Sequence, residues 1–121
     1  MAASSSSATP MTYFTVPSSF PHKLMQTNYL VWKLAILPII KSQDLYGYID
    51  GSIKSPPPTI TSGKDATKIV SQNPDWLQWH MRDQLVLSIL ISSLTVNIIV
   101  HVVKCLTARE LWLTLENMFN S

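Results

Sequence analysis

The side chains able to do acid–base or nucleophilic chemistry are few and scattered. Asp44 and Asp50 lie close enough in sequence to suggest a general acid and a general base. However, Asp50 precedes Gly51 in a turn signal, and Asp44 suits a turn or a helix end. The order Asp50-Gly51-Ser52 also differs from the Asp-Thr-Gly or Asp-Ser-Gly of aspartic proteases. The sequence has no Gly-x-Ser-x-Gly turn and no glycine-rich phosphate loop, so it indicates a protein that is not an enzyme.

The sequence also offers few candidate metal ligands. His101 and Cys105 are four residues apart, a spacing that can bring two ligands together on one helix face. Further ligands would have to come from His22 and His80, which show no ligand spacing. Cys105 is the single cysteine, so no internal disulfide can form and a reducing compartment fits best. We expect no metal, no cofactor and a cytoplasmic protein, small enough to enter the nucleus by diffusion.

One carboxylate and four tryptophans call for a structural interpretation. Asp83 falls on or beside the apolar face of a predicted helix, where a buried carboxylate needs a partner. Arg82 points about 100° away from it on a helix, so we predict a hydrogen bond from a backbone amide, a tryptophan N–H or a tyrosine O–H. The tryptophans lack interleaved basic residues, which favours helix packing over base stacking. They are Trp32, Trp76, Trp79 and Trp112.

Composition places the chain among self-associating folded domains. Its 121 residues amount to one domain. Charged residues make up 13%, about half of the usual ~25%, whereas hydrophobic residues make up 46%. The net charge of +2, without a Lys/Arg cluster, predicts weak or absent nucleic-acid binding. Few surface charges leave apolar surface uncovered, which favours contact with a second copy or another partner.

Two segments resemble targeting or membrane signals. Residues 1–22 form a Ser/Pro-rich stretch without Asp, Glu or Arg, which we interpret as a disordered tail rather than a secretory or transit signal. Residues 84–103 are 20 residues without a charged side chain, long enough for a membrane span. Scattered polar residues and a break at residues 94–97 favour two buried helices, and no membrane is expected. A single span through 84–103 is the alternative.

The helical domain is predicted over residues 23–121, beginning with a first helical segment over 23–51. Apolar residues at spacings of three and four predict a helix over 28–43, capped by Thr27 or Asn28 and bent at Pro38. A short helical turn ended by Gly47 follows. Residues 52–72, with three consecutive prolines, predict a long surface loop.

The second half, residues 73–121, is predicted to form a helical hairpin and a truncated C-terminal helix. Asn73-Pro74 combines an N-cap with a proline at the first helical position, which predicts a helix to about residue 93. Thr95 is expected to cap a short central helix over 96–104. Thr107 and Glu110 form a capping box before the most amphipathic stretch. No stretch predicts a strand, so we expect an all-α bundle of four to five helices.

Five stretches follow a known pattern in order and spacing. They read HKLMQTNYLVW at 22–32, LPII and LYGYIDGS within 37–52, PPP at 56–58, an N-P…W…D-Q…L-I-S-S-L series over 73–94, and CLTARELWLTL at 105–115. Together they resemble the amino-terminal part of the Gag polyprotein of plant copia-type LTR retrotransposons. The residues that match this pattern or are expected to pack in the core are Leu24, Asn28, Tyr29, Trp32, Gly47, Gly51, Asn73, Pro74, Trp79, Asp83, Leu90, Leu94, Thr107, Glu110, Leu111, Trp112 and Leu115.

The resemblance implies a capsid-type helical module that self-associates and is not an enzyme. Its expected partners are a second copy or full-length Gag. The sequence contains no Cys-Cys-His-Cys zinc knuckle and no basic stretch, so RNA binding through these features is not implied. We interpret the chain as a truncated or host-adopted Gag fragment, and a small interaction module with a different partner is the alternative.

Overall fold

In the described part of the chain, five helices surround one apolar core, and a two-stranded hairpin lies between the second helix and the third. The computed structural model describes Phe14, Pro17 and residues 19–120. A short 3-10 turn at Asp65–Thr67 lies inside the hairpin. In chain order the elements are α1 (Tyr29–Lys41), α2 (Gly47–Asp50), β1 (Thr59–Ser62), β2 (Ile69–Gln72), α3 (Pro74–Ser92), α4 (Val96–Ile99) and α5 (Ala108–Phe119).

Helix α1 is shorter than the predicted 28–43 and runs without interruption through Pro38. Proline removes one backbone N–H, which leaves the carbonyl of Leu34 without its helical partner. Both Pro38 and Leu34 are exposed, so water can satisfy that carbonyl. Asn28 precedes the helix but does not cap it, because its Oδ1 accepts from the Met25 N–H at 2.7 Å and its amide donates to the Lys23 carbonyl at 2.9 Å.

The sequence predicted the wrong end for the short helix that follows α1. Gly47 begins α2 rather than ending a turn, and Gly51 closes the helix with φ +84°. A Cβ at Gly47 would lie 2.4 Å from the Ile53 side chain, so Gly47 allows the chain beyond α2 to fold back over it. Of these two glycines, it is Gly51 that takes the left-handed conformation that commonly ends a helix.

Replacing Gly51 with alanine is expected to lower the free energy of unfolding by about 1–2 kcal/mol, because a Cβ is strained in the left-handed region. The added Cβ would also approach Nε of Arg109 at 2.9 Å. Urea unfolding followed by tryptophan fluorescence measures the change. Lys54→Ala, at an exposed position nearby, is the control and is expected to change stability by less than about 0.5 kcal/mol. Equal stability of both variants would contradict the prediction.

Residues 52–72 are not wholly a loop, so the fold is not strictly all-α. Strands β1 and β2 pair antiparallel, with Ile60 opposite Ser71 and Thr61 opposite Val70. Five of the eight strand residues are β-branched, which favours extended backbone. Gly63, with φ +86°, begins the connection between the strands. The sequence does carry a signal for these strands, because β-branched residues cluster on either side of a glycine. The prediction of a surface loop did not use it.

The triple proline and Asn73 together hold the base of the hairpin. The Asn73 side chain caps α3 by accepting from the Asp75 N–H at 3.1 Å, as predicted. Its side-chain amide donates to the Pro57 carbonyl at 2.9 Å, and its backbone N–H donates to the Pro58 carbonyl at 2.9 Å. One residue therefore starts the helix and closes the hairpin.

The predicted central helix over 96–104 is mostly turns. Regular α-helix ends at Ile99, and the chain continues in turns to residue 104. Ile98 and Val102 are buried, whereas Val96, Val100 and Val103 are exposed, so the segment is only half covered. Thr95 does not cap α4, because its hydroxyl donates to the Leu24 carbonyl at 2.7 Å instead.

The last helix starts with a modified capping box. The Thr107 hydroxyl accepts from the Glu110 N–H at 3.2 Å, as predicted. The Glu110 carboxylate reaches back to the Leu106 N–H at 3.1 Å, one residue before the expected partner. Thr107 is the N-cap, and its hydroxyl also donates to the same carboxylate oxygen of Glu110 at 3.3 Å.

The core is formed by one face of each helix and by Leu24, which bridges to Leu94. Of the predicted tail, residues 1–13, 15, 16 and 18 lie outside the described residues. Phe14 and Phe20 are half-buried, and both pack against the core. The core contains Leu24, Tyr29, Trp32, Ile36, Ile40, Leu45, Tyr48, Ile49, Val86, Leu87, Ile89, Leu90, Leu94, Ile98, Val102, Ala108, Leu111, Trp112 and Leu115.

Candidate interaction surface

The carboxylates considered for catalysis have turn geometry. Asp44 adopts φ +59°, in the loop after α1. Asp50 accepts from the Ser52 N–H at 2.8 Å, and this hydrogen bond holds the pKa of the Asp50 carboxyl below its ordinary value. A general acid at neutral pH needs a raised pKa. Asp50 therefore stabilises the turn beside Gly51, in agreement with the structural interpretation of its sequence.

His101 and Cys105 do not share a helix face, because regular helix ends at Ile99 before either of them. His101 is exposed, and the Cys105 sulfur lies 3.5 Å from the Thr114 hydroxyl. Within the described part of the chain, no three His, Cys, Asp or Glu side chains form a group that could hold a metal ion. The i, i+4 spacing brings two side chains together only on a continuous helix, and here the chain forms turns after Ile99.

The polar centre of the molecule is Asp83, which is buried on α3 with only 1% of its surface exposed. Its Oδ1 accepts from the backbone N–H of Ala108 at 3.1 Å. Its Oδ2 accepts from the side-chain amide of Gln84 at 3.2 Å, and that amide also donates to the Leu106 carbonyl at 3.1 Å. Asp83 thus meets the first residue of α5, where a negative charge complements the helix dipole. Of the three kinds of donor that the sequence allowed, the backbone amide is the one that the fold supplies.

Burial raises the pKa of Asp83 above its ordinary value, although the hydrogen bonds from Ala108 and Gln84 oppose this shift. A raised carboxyl pKa in a cleft can mark a catalytic acid. Here both carboxylate oxygens have partners inside the fold. The geometry makes Asp83 a clamp between α3 and α5.

A shallow cleft of about 200 Å³ lies beside this clamp, between the chain after α2 and the start of α5. Arg109 donates to the Ile49 carbonyl at 2.8 Å across it. The Trp79 indole N–H donates to the Ile53 carbonyl at 3.2 Å. The polar groups that line the cleft therefore serve to join the segment after α2 to α3 and α5.

Aromatic rings join α1 to α5. The Trp32 ring centroid lies 5.9 Å from that of Tyr29 and 5.6 Å from that of Trp112, and Tyr29 stacks on Phe119 at 5.1 Å. The Trp32 N–H donates to the buried Ser93 hydroxyl at 2.9 Å. Burial raises the pKa of the Tyr29 hydroxyl, with a smaller contribution from the charge of Glu116. Tyr29, Trp32, Trp112 and Phe119 thus form a packed row rather than an open stacking platform.

The predicted site residues are distributed over the whole fold rather than gathered at one point. Gly47 and Gly51 shape α2, and Asn73, Pro74, Thr107 and Glu110 begin helices. Trp79 is half-buried against Tyr48. Trp76, which its spacing placed on the buried face, stacks on His80 outside the core. The residues that lie in the core are Leu24, Tyr29, Trp32, Leu90, Leu94, Leu111, Trp112 and Leu115.

The outer face of α1 is the most notable exposed apolar surface. Leu30, Val31 and Leu34 are 75%, 53% and 77% exposed. Helix α1 contains no Asp or Glu, and its two lysines are Lys33 and Lys41. A helix that is apolar around its whole circumference is typically buried. The spacing of three and four predicted one apolar face of this helix and not the second. The signal for the second face is the lack of acidic residues between Tyr29 and Lys41.

The uncharged stretch over 84–103 is divided in the fold. Helix α3 ends at Ser92, a break follows, and α4 begins at Val96. No helix in the described part of the chain is long and apolar enough to cross a membrane. Residues 84–103 therefore do not form one continuous helix.

Comparison with known proteins relates the chain to retrotransposons. It is 34% identical over 97 residues to the retrovirus-related Pol polyprotein from transposon RE2 of Arabidopsis thaliana, and equally to that from transposon RE1. The matched region covers 80% of this chain but 6% of each polyprotein. No protein-family model and no solved structure matches the chain. The similarity supports a retrotransposon-derived origin in plants.

Proposed function

We propose that this chain is a non-enzymatic, Gag-derived, capsid-like module that associates with copies of itself. The similarity to retrotransposon polyproteins supports the origin, and the residue pattern described above supports the Gag region within it. The single observation that carries self-association is the uncovered outer face of α1. Full-length Gag, which would carry the same surface, is a further partner under this proposal.

A second copy is the occupant that best suits this face. Leu30, Leu34 and Pro38 follow one another along the exposed side, and no charged residue lies between them on it. In a two-fold contact the same surface meets itself, so any charge would face its own copy. Lys41 lies on the same side one turn beyond Pro38, and its ammonium lies 4.8 Å from the centroid of the Tyr46 ring. The stretch from Leu30 to Pro38 therefore brings no like charges together. Burial of each leucine contributes about 1.5–3 kcal/mol.

The test is light scattering behind size-exclusion chromatography over a range of concentrations of the whole chain. The wild type is expected to form dimers or larger species. The double variant Leu30→Glu/Leu34→Glu is expected to raise the dissociation constant at least about 100-fold, or 2.7 kcal/mol. Glutamate is a good helix former, and at residue 30 it complements the helix dipole, so α1 is retained.

Leu77→Glu/Met81→Glu on α3 is the matched control. These residues have the same spacing of four and are 40% and 63% exposed. The control is expected to associate like the wild type. A wild-type chain that is monomeric at every concentration would contradict self-association and favour an interaction module for a different partner. Equal loss of association in both variants would contradict the assignment to α1.

A further inference from the structure

Strand β2 has an uncovered outer edge, along which its backbone N–H and C=O groups are free to pair. All eight hairpin residues are exposed, and Ile69 and Val70 reach 63% and 65%. In the described part of the chain, β2 pairs with β1 and with no other strand. Edge strands in natural proteins are usually protected by charges, prolines or bulges, because their free N–H and C=O groups recruit other strands. The sequence of β2, IVSQ, has no charge and no proline.

The opposite edge of the hairpin belongs to β1, which follows directly on Pro56, Pro57 and Pro58. Prolines have no N–H to donate, so a ladder on this edge cannot continue past the start of β1. Strand β1 itself, TITS, has no charge and no proline, so its edge is limited in length rather than blocked. The charges beside β2 distinguish the two edges.

Charges at the two ends of β2 select the partner and its direction. Lys68 precedes the strand and Asp75 lies three residues after its end, and both are exposed. Antiparallel pairing of two copies brings the Lys68 end of each strand to the Asp75 end of the other. Parallel pairing would place like charges side by side, which is unfavourable. A second copy of β2 in antiparallel orientation is thus the complementary occupant.

We propose that β2 forms a second self-association contact, in which two copies pair edge to edge as a four-stranded antiparallel sheet. The inference rests on the proposed function, since the α1 contact proposed there is the first self-association contact. A closed dimer uses one two-fold surface, whereas two different two-fold surfaces on one chain link dimers into larger assemblies. The hairpin then determines whether association stops at a dimer or continues.

Disulfide trapping tests the contact directly. Residues opposite each other in an antiparallel pair share the same hydrogen-bonding orientation, so a symmetric pair of β2 strands places Val70 or Ser71 opposite its own copy. Val70→Cys and Ser71→Cys are made singly in a Cys105→Ser chain and oxidised. One of them is expected to give a covalent dimer, since opposing Cα atoms lie within disulfide range. Ile60→Cys, opposite Ser71 on β1, is the matched control for the other edge and is expected to stay monomeric under denaturing conditions.

Assembly size gives the second readout. Val70→Lys is expected to lower the population of species larger than a dimer at least about fivefold, because it places two lysines across the contact. Ile60→Lys is expected to behave like the wild type. If the wild type grows beyond a dimer while neither cysteine variant cross-links and Val70→Lys assembles normally, the hairpin contact is refuted and the proposed function stands. If the wild type is monomeric by light scattering, the proposed function fails. Absence of cross-linking at residues 70 and 71 would then refute the hairpin contact as well.

Discussion

Replacement of Trp32 with alanine is expected to lower the free energy of unfolding by about 3–5 kcal/mol. Trp32 is 1% exposed and packs between the rings of Tyr29 and Trp112. Truncation removes the side chain that joins α1 to α5 and leaves a cavity in the core. It also removes the N–H that the Ser93 hydroxyl accepts. Native domains are stable by about 5–15 kcal/mol, so the variant loses a large share of the total stability.

Urea unfolding monitored by circular dichroism measures this loss, with low protein concentrations to separate folding from association. Leu34→Ala, on the exposed side of the same helix, is the control and should change stability by less than about 0.5 kcal/mol. Trp32→Phe keeps an aromatic ring but lacks the N–H, and should lie between the two. A Trp32→Ala chain as stable as the Leu34→Ala chain would show that the aromatic row does not hold α1 in place.

Replacement of Asp83 with alanine is expected to cost about 1–3 kcal/mol, because the buried Ala108 N–H loses its acceptor. The first turn of α5 also loses a negative charge at its positive end. Urea unfolding again gives the magnitude. Asp75→Ala, an exposed carboxylate in the first turn of α3, is the control, and should cost less than Asp83→Ala. The reverse order would contradict the assignment of Asp83 as a clamp.

The same residue gives the stability a defined dependence on pH. Burial raises the pKa of Asp83 in the folded state above the ordinary 3.8. Between these two values the folded chain binds a proton that the unfolded chain has released, so this carboxyl contributes less stability as pH rises through the window. Asp83→Asn has no such titration. The stability of the wild type minus that of Asp83→Asn is therefore expected to fall as pH rises above 3.8, and to level off above the raised pKa. A difference that increases with pH would contradict the burial of the charge.

Features that depend on local chemistry were accessible from the sequence alone. Asn73-Pro74 and the Thr107…Glu110 pair start α3 and α5 because a cap and its partner lie within three residues of each other. The spacing of apolar residues over 111–119 predicted α5, because residues three and four apart lie on the same face of a helix. The need of Asp83 for a hydrogen-bond donor also followed from its position on an apolar face, although three kinds of donor suited it.

Only the tertiary structure decided features that join distant segments. It selected the Ala108 amide as the donor to Asp83, 25 residues away. The packing around α1 left Leu30 and Leu34 uncovered, although they are apolar like the residues of the buried face. The pairing of residues 59–62 with 69–72 turned an expected loop into an edge strand. Hydrophobic burial is non-directional, so the sequence of an all-round apolar helix cannot specify which side the core covers; that depends on where the other helices lie.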